Sequence, residues 1–376
     1  MATSLYIHIP FCAAKCVYCS FNSHAGMERL HERYVDALCL EMEQSVPHGH
    51  VDPLETLFLG GGTPTLLSPH LLEKVLATCR NCFPHGAQPE ISIEANPGTV
   101  NREKLSILRA CGVNRLSIGV QSFDDQELKR LGRIHSAGEA VEAVEMAREV
   151  GFSNISLDLM YGLPGQDPES WRASLEKGLQ LAPQHLSLYQ LTLEEGTPLA
   201  RMVARGEQSL ADDEGVAAMD EITAELTRGA GLAQYEISNY ASQGGQCCHN
   251  VNYWKNGEYF GFGAGAVSYR RGHRLRNGGD PEEYCTLLEA GRSVVVEEES
   301  LDQEASFRET VIMGLRMNLG LSLQVLHERY GMEPVAYYGD VLRSLLDREL
   351  LEERGGFLRL TEQGRRFANL VMAELV

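Results

Sequence analysis

No stretch of this 376-residue chain is apolar for long enough to cross a bilayer. The apolar start, LYIHIPF, is too short for the hydrophobic region of a secretory signal, so the expectation is a cytoplasmic chain. Positive charge is scarce: 33 Lys and Arg face 52 Asp and Glu, a net charge of −19. That deficit argues against non-specific binding to nucleic acid or anionic membrane, both of which need a positive field. Lysine is absent from residues 301–376, where nine Arg stand against twelve acidic residues, which argues against DNA binding by that end. A disulfide framework is missing too, since ten cysteines in a large chain without a secretory signal read as reduced thiols. The most informative absence is local. Cys12, Cys16 and Cys19 form C-x3-C-x2-C on one loop, with no fourth cysteine beside them.

A structural zinc site takes four ligands, usually as two separated pairs. A cubane iron–sulfur cluster also takes four, normally all cysteine. Three thiolates on one loop therefore point to a cubane with one iron left open for a small molecule, with zinc or plain buried thiols as the competing readings. Cys79 and Cys82 lie far along the chain on a helical pattern and read as a core residue and a helix end. Tyr18, between two of the cysteines, reads as a ring packed over a cluster or as an ordinary surface tyrosine.

The first half repeats a short apolar run, a turn and an amphipathic helix. Strands are expected at Leu5–Phe11, Thr56–Leu59, Glu90–Ala95, Arg115–Val120, Asn154–Met160 and His185–Leu191. Leu30, Tyr34, Leu38 and Met42, four apart, mark one helix face; Leu71, Val75 and Cys79 mark another. Alternating strands and helices imply an α/β fold with a parallel sheet and right-handed crossovers. Six units are too few for a closed eight-stranded barrel, so a partial (β/α)6 barrel over 1–195 is expected. An α+β extension over 196–300 and a small winged-helix-like domain over 301–376 complete the expected organisation.

In such folds ligands sit at the C-terminal ends of the strands. The unusual residues fall there: the cysteines, GGGTPT at 60–65, EANPG at 94–98, GVQSF at 119–123 and DLMYGLPG at 158–165. Gly60, Gly61 and Gly62 let backbone approach a ligand closely, although a tight strand-to-helix turn needs them equally. Glu94 is a carboxylate ending an otherwise apolar strand, costly to bury unless paired. Arg133 suits a carboxylate ligand or a plain helix end; Gln121 and Asp158 suit ribose hydroxyls.

CAAKCVYC with GGGTPT, IEANP, SIGVQSF and DLMYGLPG resembles the radical S-adenosylmethionine (SAM) superfamily, in its coproporphyrinogen-dehydrogenase-like branch, over essentially the whole chain. The resemblance implies that Cys12, Cys16 and Cys19 hold a [4Fe–4S] cluster whose open iron is chelated by SAM. It implies contacts to SAM from Tyr6, Gly61, Gly62 and Thr63, with Glu94 and Arg133 at its polar ends and Gln121 and Asp158 at its ribose. HNVNYW at 249–254 matches the H-N-x-x-Y-W signature of the HemW-type heme chaperones, so His249, Asn250, Tyr253 and Trp254 are implied heme residues. A neutral imidazole is a good axial ligand, and aromatic rings flank a flat macrocycle. On residue chemistry alone, His249 reads as a satisfied core or surface histidine. Cys247 and Cys248 leave a thiolate iron ligand open as a lesser reading.

The dehydrogenase itself has a long segment ahead of its cluster loop and a further cysteine where this chain has Phe21. Ser20 stands where Asp is common in the chaperones, and Val267 stands where GAGAH would place a His, so no ligand is carried to 267. The expectation is a heme chaperone that binds a [4Fe–4S] cluster, SAM and heme and passes heme to client respiratory hemoproteins. A homodimer is an allowed assembly. Whether SAM is cleaved, and hence whether the protein is an enzyme, stays open. The alternatives are an oxygen-independent coproporphyrinogen III dehydrogenase, decarboxylating to protoporphyrinogen IX, and a radical SAM enzyme that modifies heme. Substrate carboxylates would need Arg or Lys in the cavity, and the sequence assigns none to that task.

Overall fold

The structure is a computed structural model and describes residues 3–45 and 52–376. Its first half runs β1 (Thr3–Ile9), a cysteine loop with the short paired strands β2 (Phe11–Cys12) and β3 (His24–Ala25), α1 (His31–Ser45), β4 (Leu54–Gly61) and α2 (Pro69–Cys82). Then come β5 (His85–Ala95), α3 (Arg102–Ala110), β6 (Arg115–Gln121), α4 (Asp125–Arg130), α5 (Ala137–Glu149), β7 (Asn154–Tyr161), α6 (Pro168–Gln180) and β8 (His185–Gln190). Helix starts carry local signals: Asn101, Asp124 and Asp167 cap α3, α4 and α6, and Ser136 forms a capping box with Glu139 on α5. The six expected strands are all present and pair in parallel in the order β1-β4-β5-β6-β7-β8. The expected first strand is broken at Pro10, which has no N–H to donate.

Side chains alternate along these strands with a period of two. Leu5, Ile7, Ile9, Leu57, Leu59, Ile91, Ile93, Leu116, Ile118, Leu157, Leu186 and Leu188 belong to the main apolar core, with Leu38, Leu72 and Val75 of the helices. Their neighbours Tyr6, Glu94, Arg115, Ser117, Gly119, Asp158, His185, Ser187 and Tyr189 line a cavity on the other face. Parallel strands buried on both faces normally read as continuous apolar runs. The alternation here marks a sheet whose inner face surrounds something polar.

Three short strands widen the sheet beyond the expected six. β9 (Ala233–Gln234) and β10 (Asn239–Ala241) add antiparallel beyond β8, and β11 (Phe260–Phe262) adds parallel beside β1, making nine strands. Between these edges the chain, after α7 (Pro198–Ala204) and α8 (Asp213–Gly229), crosses the inner face as α9 (Cys248–Trp254). The three-stranded sheet β12 (Val267–Arg270), β13 (His273–Asn277) and β14 (Val295–Ser300), with α10 (Pro281–Glu289), follows. Two glycines of the run at 259–269 answer to close packing, one against β1 and one against the cysteine loop. A Cβ at Gly263, φ +104°, would lie 2.5 Å from the His8 carbonyl oxygen, and one at Gly265, φ +81°, 2.4 Å from Asn22 Nδ2.

The C-terminal region has its own core, including Phe307, Val311, Leu326, Leu342, Leu345 and Val371. α11 (Gln303–Leu315), β15 (Leu321–Ser322), α12 (Leu323–Tyr330), α13 (Pro334–Tyr338), α14 (Asp340–Asp347) and the hairpin of β16 (Leu351–Arg354) and β17 (Phe357–Leu360) form a winged-helix-like arrangement, with strand order β15-β17-β16. Gly339, φ +54°, divides VAYYGDVLRSLLDREL into two helices.

Candidate functional site

A cavity of about 510 Å³ runs from the cysteine loop, at the C-terminal ends of the strands, down the inner face to α9. It brings together Tyr6, Cys12, Cys16, Cys19, Gly61, Gly62, Thr63, Glu94, Gln121, Arg133, Asp158, His249, Asn250 and Tyr253. Trp254 is the exception. It lines a separate space of about 220 Å³ with Tyr259, Arg274, Glu309 and Met313, under an Arg316 guanidinium 4.4 Å from its ring centre. Its position on α9, one residue past Tyr253, turns it toward α11.

All three cysteines are free and partly exposed. Thr63 Oγ1 donates to Cys12 Sγ at 3.8 Å, and Arg133 Nη1 donates to Cys16 Sγ at 3.4 Å. Burial raises the Cys12 thiol pKa, while the bond from Thr63 pulls the other way. Among the described residues no three His, Cys, Asp or Glu side chains gather as ligands of one ion. Tetrahedral zinc would hold its sulfurs about 3.8 Å apart, from a Zn–S bond of about 2.3 Å. A cubane puts each thiolate on its own iron, so three thiols spread around one mouth fit a cluster better than a single ion.

The glycines answer to packing within the protein. A Cβ at Gly61, φ +111°, would lie 2.5 Å from the His8 ring, and one at Gly62 2.5 Å from the Phe11 carbonyl oxygen. His8 is itself held by Tyr6 OH and the Asn22 carbonyl, both at 2.9 Å, and the Tyr6 ring stacks on Phe58. Gly61 N–H donates to Glu94 Oε2 at 3.0 Å. Burial, and then the nearby Asp158, push the Glu94 carboxyl up to about 7. Asp158 accepts from Ser117 at 3.0 Å and Ser156 at 3.3 Å, and burial raises its pKa as well. Gln121 sits at φ +67°, beside a register shift in β6 that turns it to the cavity. Arg133 Nη2 donates to the Gly119 carbonyl at 2.6 Å rather than to either carboxylate. The upper cavity thus offers two partly buried acids and an amide to an ammonium group or hydroxyls.

His249 lies at the other end, 1% exposed. Its Nδ1 bonds with Thr56 Oγ1 at 2.8 Å, its Nε2 with Tyr253 OH at 3.0 Å, and its ring stacks on Phe58. Burial lowers its pKa to about 3, so the ring is neutral near pH 7. Glu90 holds the start of α9, accepting from the N–H groups of Cys248 at 2.9 Å and His249 at 3.1 Å and from the Cys247 thiol. Burial raises the Cys247 thiol to about 12 and raises the Cys248 thiol too, which disfavours a thiolate here.

Sequence reasoning missed Arg115, Ser117, Ser156, His185 and Ser187, which stand on the same inner face. The signal was present: in RLSIGVQ, NISLDL and HLSLY, the inner-face residues alternate with Leu, Ile or Val.

Residues 6–178 match the radical SAM superfamily, and residues 301–367 match the HemN C-terminal domain. The heme chaperone HemW of Bacillus subtilis (strain 168) is 38% identical over 369 residues, 98% of this chain and 97% of that protein. The heme chaperone HemW of Escherichia coli (strain K12) is 38% identical over 380 residues, again 98% and 97%. The solved structure of coproporphyrinogen III oxidase (HemN) from Escherichia coli, a radical SAM enzyme, superposes with a TM-score of 0.87 over 100% of this chain and 90% of that one; at 24% identity the likeness is one of fold. The chain belongs to the HemW family of the radical SAM superfamily.

Proposed function

We propose that this protein is a cytoplasmic heme chaperone that holds a [4Fe–4S] cluster and SAM at the upper end of its cavity, binds heme at the α9 end, and hands heme to respiratory hemoproteins. Residues 1–195, 196–300 and 301–376 are taken as its barrel, its heme-motif extension and its C-terminal unit. One observation carries the reading: a single cavity has three thiols at its mouth and the HNVNYW helix along its wall.

In this reading Cys12, Cys16 and Cys19 ligate the cluster, which when bound would supply an electron to SAM. Glu94 receives the SAM ammonium group, and Arg133 stands by Cys16 to receive the carboxylate. Asp158 and Gln121 take the ribose hydroxyls, and Tyr6 with Gly61, Gly62 and Thr63 forms the wall beside them. At the far end Thr56 fixes the His249 ring through Nδ1, as an outer partner orients a metal-ligating imidazole. Iron at Nε2 requires the Tyr253 hydroxyl to move off that nitrogen. Asn250 and Tyr253 flank the site, and Trp254 supports α9 from behind.

The test is anaerobic reconstitution with iron and sulfide, then SAM, reductant and either heme or coproporphyrinogen III. Stoichiometric, chemically unaltered heme on the protein is the expected result. Conversion to protoporphyrinogen IX would replace the reading with a dehydrogenase, and an altered heme with a heme-modifying enzyme. His249→Ala is expected to weaken heme binding at least tenfold, the order of one lost strong interaction, with iron and sulfide content unchanged. Unaltered heme affinity in that variant would remove His249 as the ligand.

A further inference from the structure

Arg115 opens β6 at the end of the strand opposite the cysteine loop, about 20 Å along the strand from Gln121 at about 3.3 Å per residue. It is 1% exposed and lines the cavity. Its Nη1 donates to Asn154 Oδ1 at 2.7 Å and to the Gly245 carbonyl at 3.2 Å. Its Nε is buried with no partner among the described residues. Of the acids on this face, Asp158 bonds to Ser117 and Ser156 and senses Arg115 only through its field, and Glu90, two residues before the register partner of Arg115 on β5, caps the start of α9.

A guanidinium is a permanent cation, and burying one without an anion is costly. The two acids of this face are occupied by other donors, Glu90 by the start of α9 and Asp158 by its serines. The remaining cations of the cavity are committed elsewhere: Lys15 donates to the carbonyls of Phe21 and Ser23 at the mouth, and Arg133 to Gly119 and Cys16. With Nη1 anchored and Nε enclosed, Nη2 is left to give a carboxylate a charge-assisted bond.

We propose that Arg115 forms a carboxylate-binding subsite at the deep end of the cavity, and that it takes a propionate arm of the tetrapyrrole. The assignment rests on the heme reading above and names the cation that reading lacked. It is tested on the full-length protein by titration with iron protoporphyrin IX and with its dimethyl ester, in wild type, Arg115→Lys and Arg115→Gln. Wild type should bind the free acid about 10- to 100-fold more tightly than the ester, the range for a charge-assisted hydrogen bond. Arg115→Gln should erase that ratio by weakening the acid alone, and Arg115→Lys should restore part of it. Equal affinity of wild type for acid and ester would overturn the subsite while leaving the heme reading intact. Failure of wild type to bind either compound would instead overturn the heme reading, and the subsite with it. Because the acid-to-ester ratio is read on the wild type, a variant that misfolds cannot mask the answer.

Discussion

His249 shows how a single residue carries both a structural and a functional account. As a neutral ring with both nitrogens bonded, it is a satisfied buried histidine; as a ring held by Thr56 and capped by a hydroxyl that can swing away, it is a preset ligand. Its titration is testable. The folded-state pKa of about 3 lies below the unfolded value of 6.5, so the folded protein resists a proton that the unfolded chain accepts. The stability it contributes is present above pH 6.5 and is lost as pH falls toward 3. At about 1.4 kcal/mol per unit, His249→Gln should close a gap of about 2 kcal/mol between pH 6.5 and 5 relative to wild type. Urea unfolding at both pH values measures this; parallel losses in the two proteins would mean that the ring is not held neutral. Glu94 runs the opposite way. Its pKa of about 7 is raised, so its contribution is complete below the ordinary value of 4.5 and disappears as pH rises through 7. An ammonium ligand that ionises Glu94 should therefore stabilise the protein most above pH 7, which a thermal shift with SAM across pH 6 to 8 would read.

Among the elements, α9 depends on one distant side chain. It spans only seven residues and has no capping side chain of its own. Glu90 of β5 does that work by accepting two backbone N–H groups at the helix start. Glu90→Ala should cost about 1–2 kcal/mol in stability, as loss of a cap does, and should also weaken heme binding by loosening His249. Chemical denaturation and heme titration of one preparation test both halves; a stability loss with heme affinity intact would separate the cap from the site. The glycine run at 60–62 belongs to the same scale. Its composition announced a need for small residues, but the competing causes, ligand approach and tight turn, were separable only by the positions of His8, Phe11 and Glu94.

For the whole molecule, the extension is tied to the barrel through a buried carboxylate. Glu41 of α1 accepts from Gly263 N–H, Asn277 Nδ2 and Tyr284 OH, linking that helix to the glycine loop, β13 and α10. Asn22, just past the cysteines, donates to the carbonyls of Ala264 and Gly279. Glu41→Ala would strand three buried donors and should cost about 3 kcal/mol or more. Because the glycine loop rests on the cysteine loop, the same change should lower the iron retained after reconstitution. Full iron content with lowered stability would show the two loops to be independent.

The spacing of Cys12, Cys16 and Cys19, the strand–helix alternation and the apolar–polar alternation within each strand are local or periodic properties of the chain, and so they were legible in it. The first two placed the fold and set the cysteine loop at the strand ends; the third was present in the chain but unused, so Arg115, Ser117, Ser156, His185 and Ser187 were missed. Only the tertiary structure decided which polar groups meet. The bond of Thr56 to His249 spans 193 residues and that of Arg115 to Gly245 spans 130. No pattern of spacing encodes such a pair; it exists because the sheet curves and α9 crosses it, which also sends Trp254 to another space and leaves the Arg115 Nε without a partner.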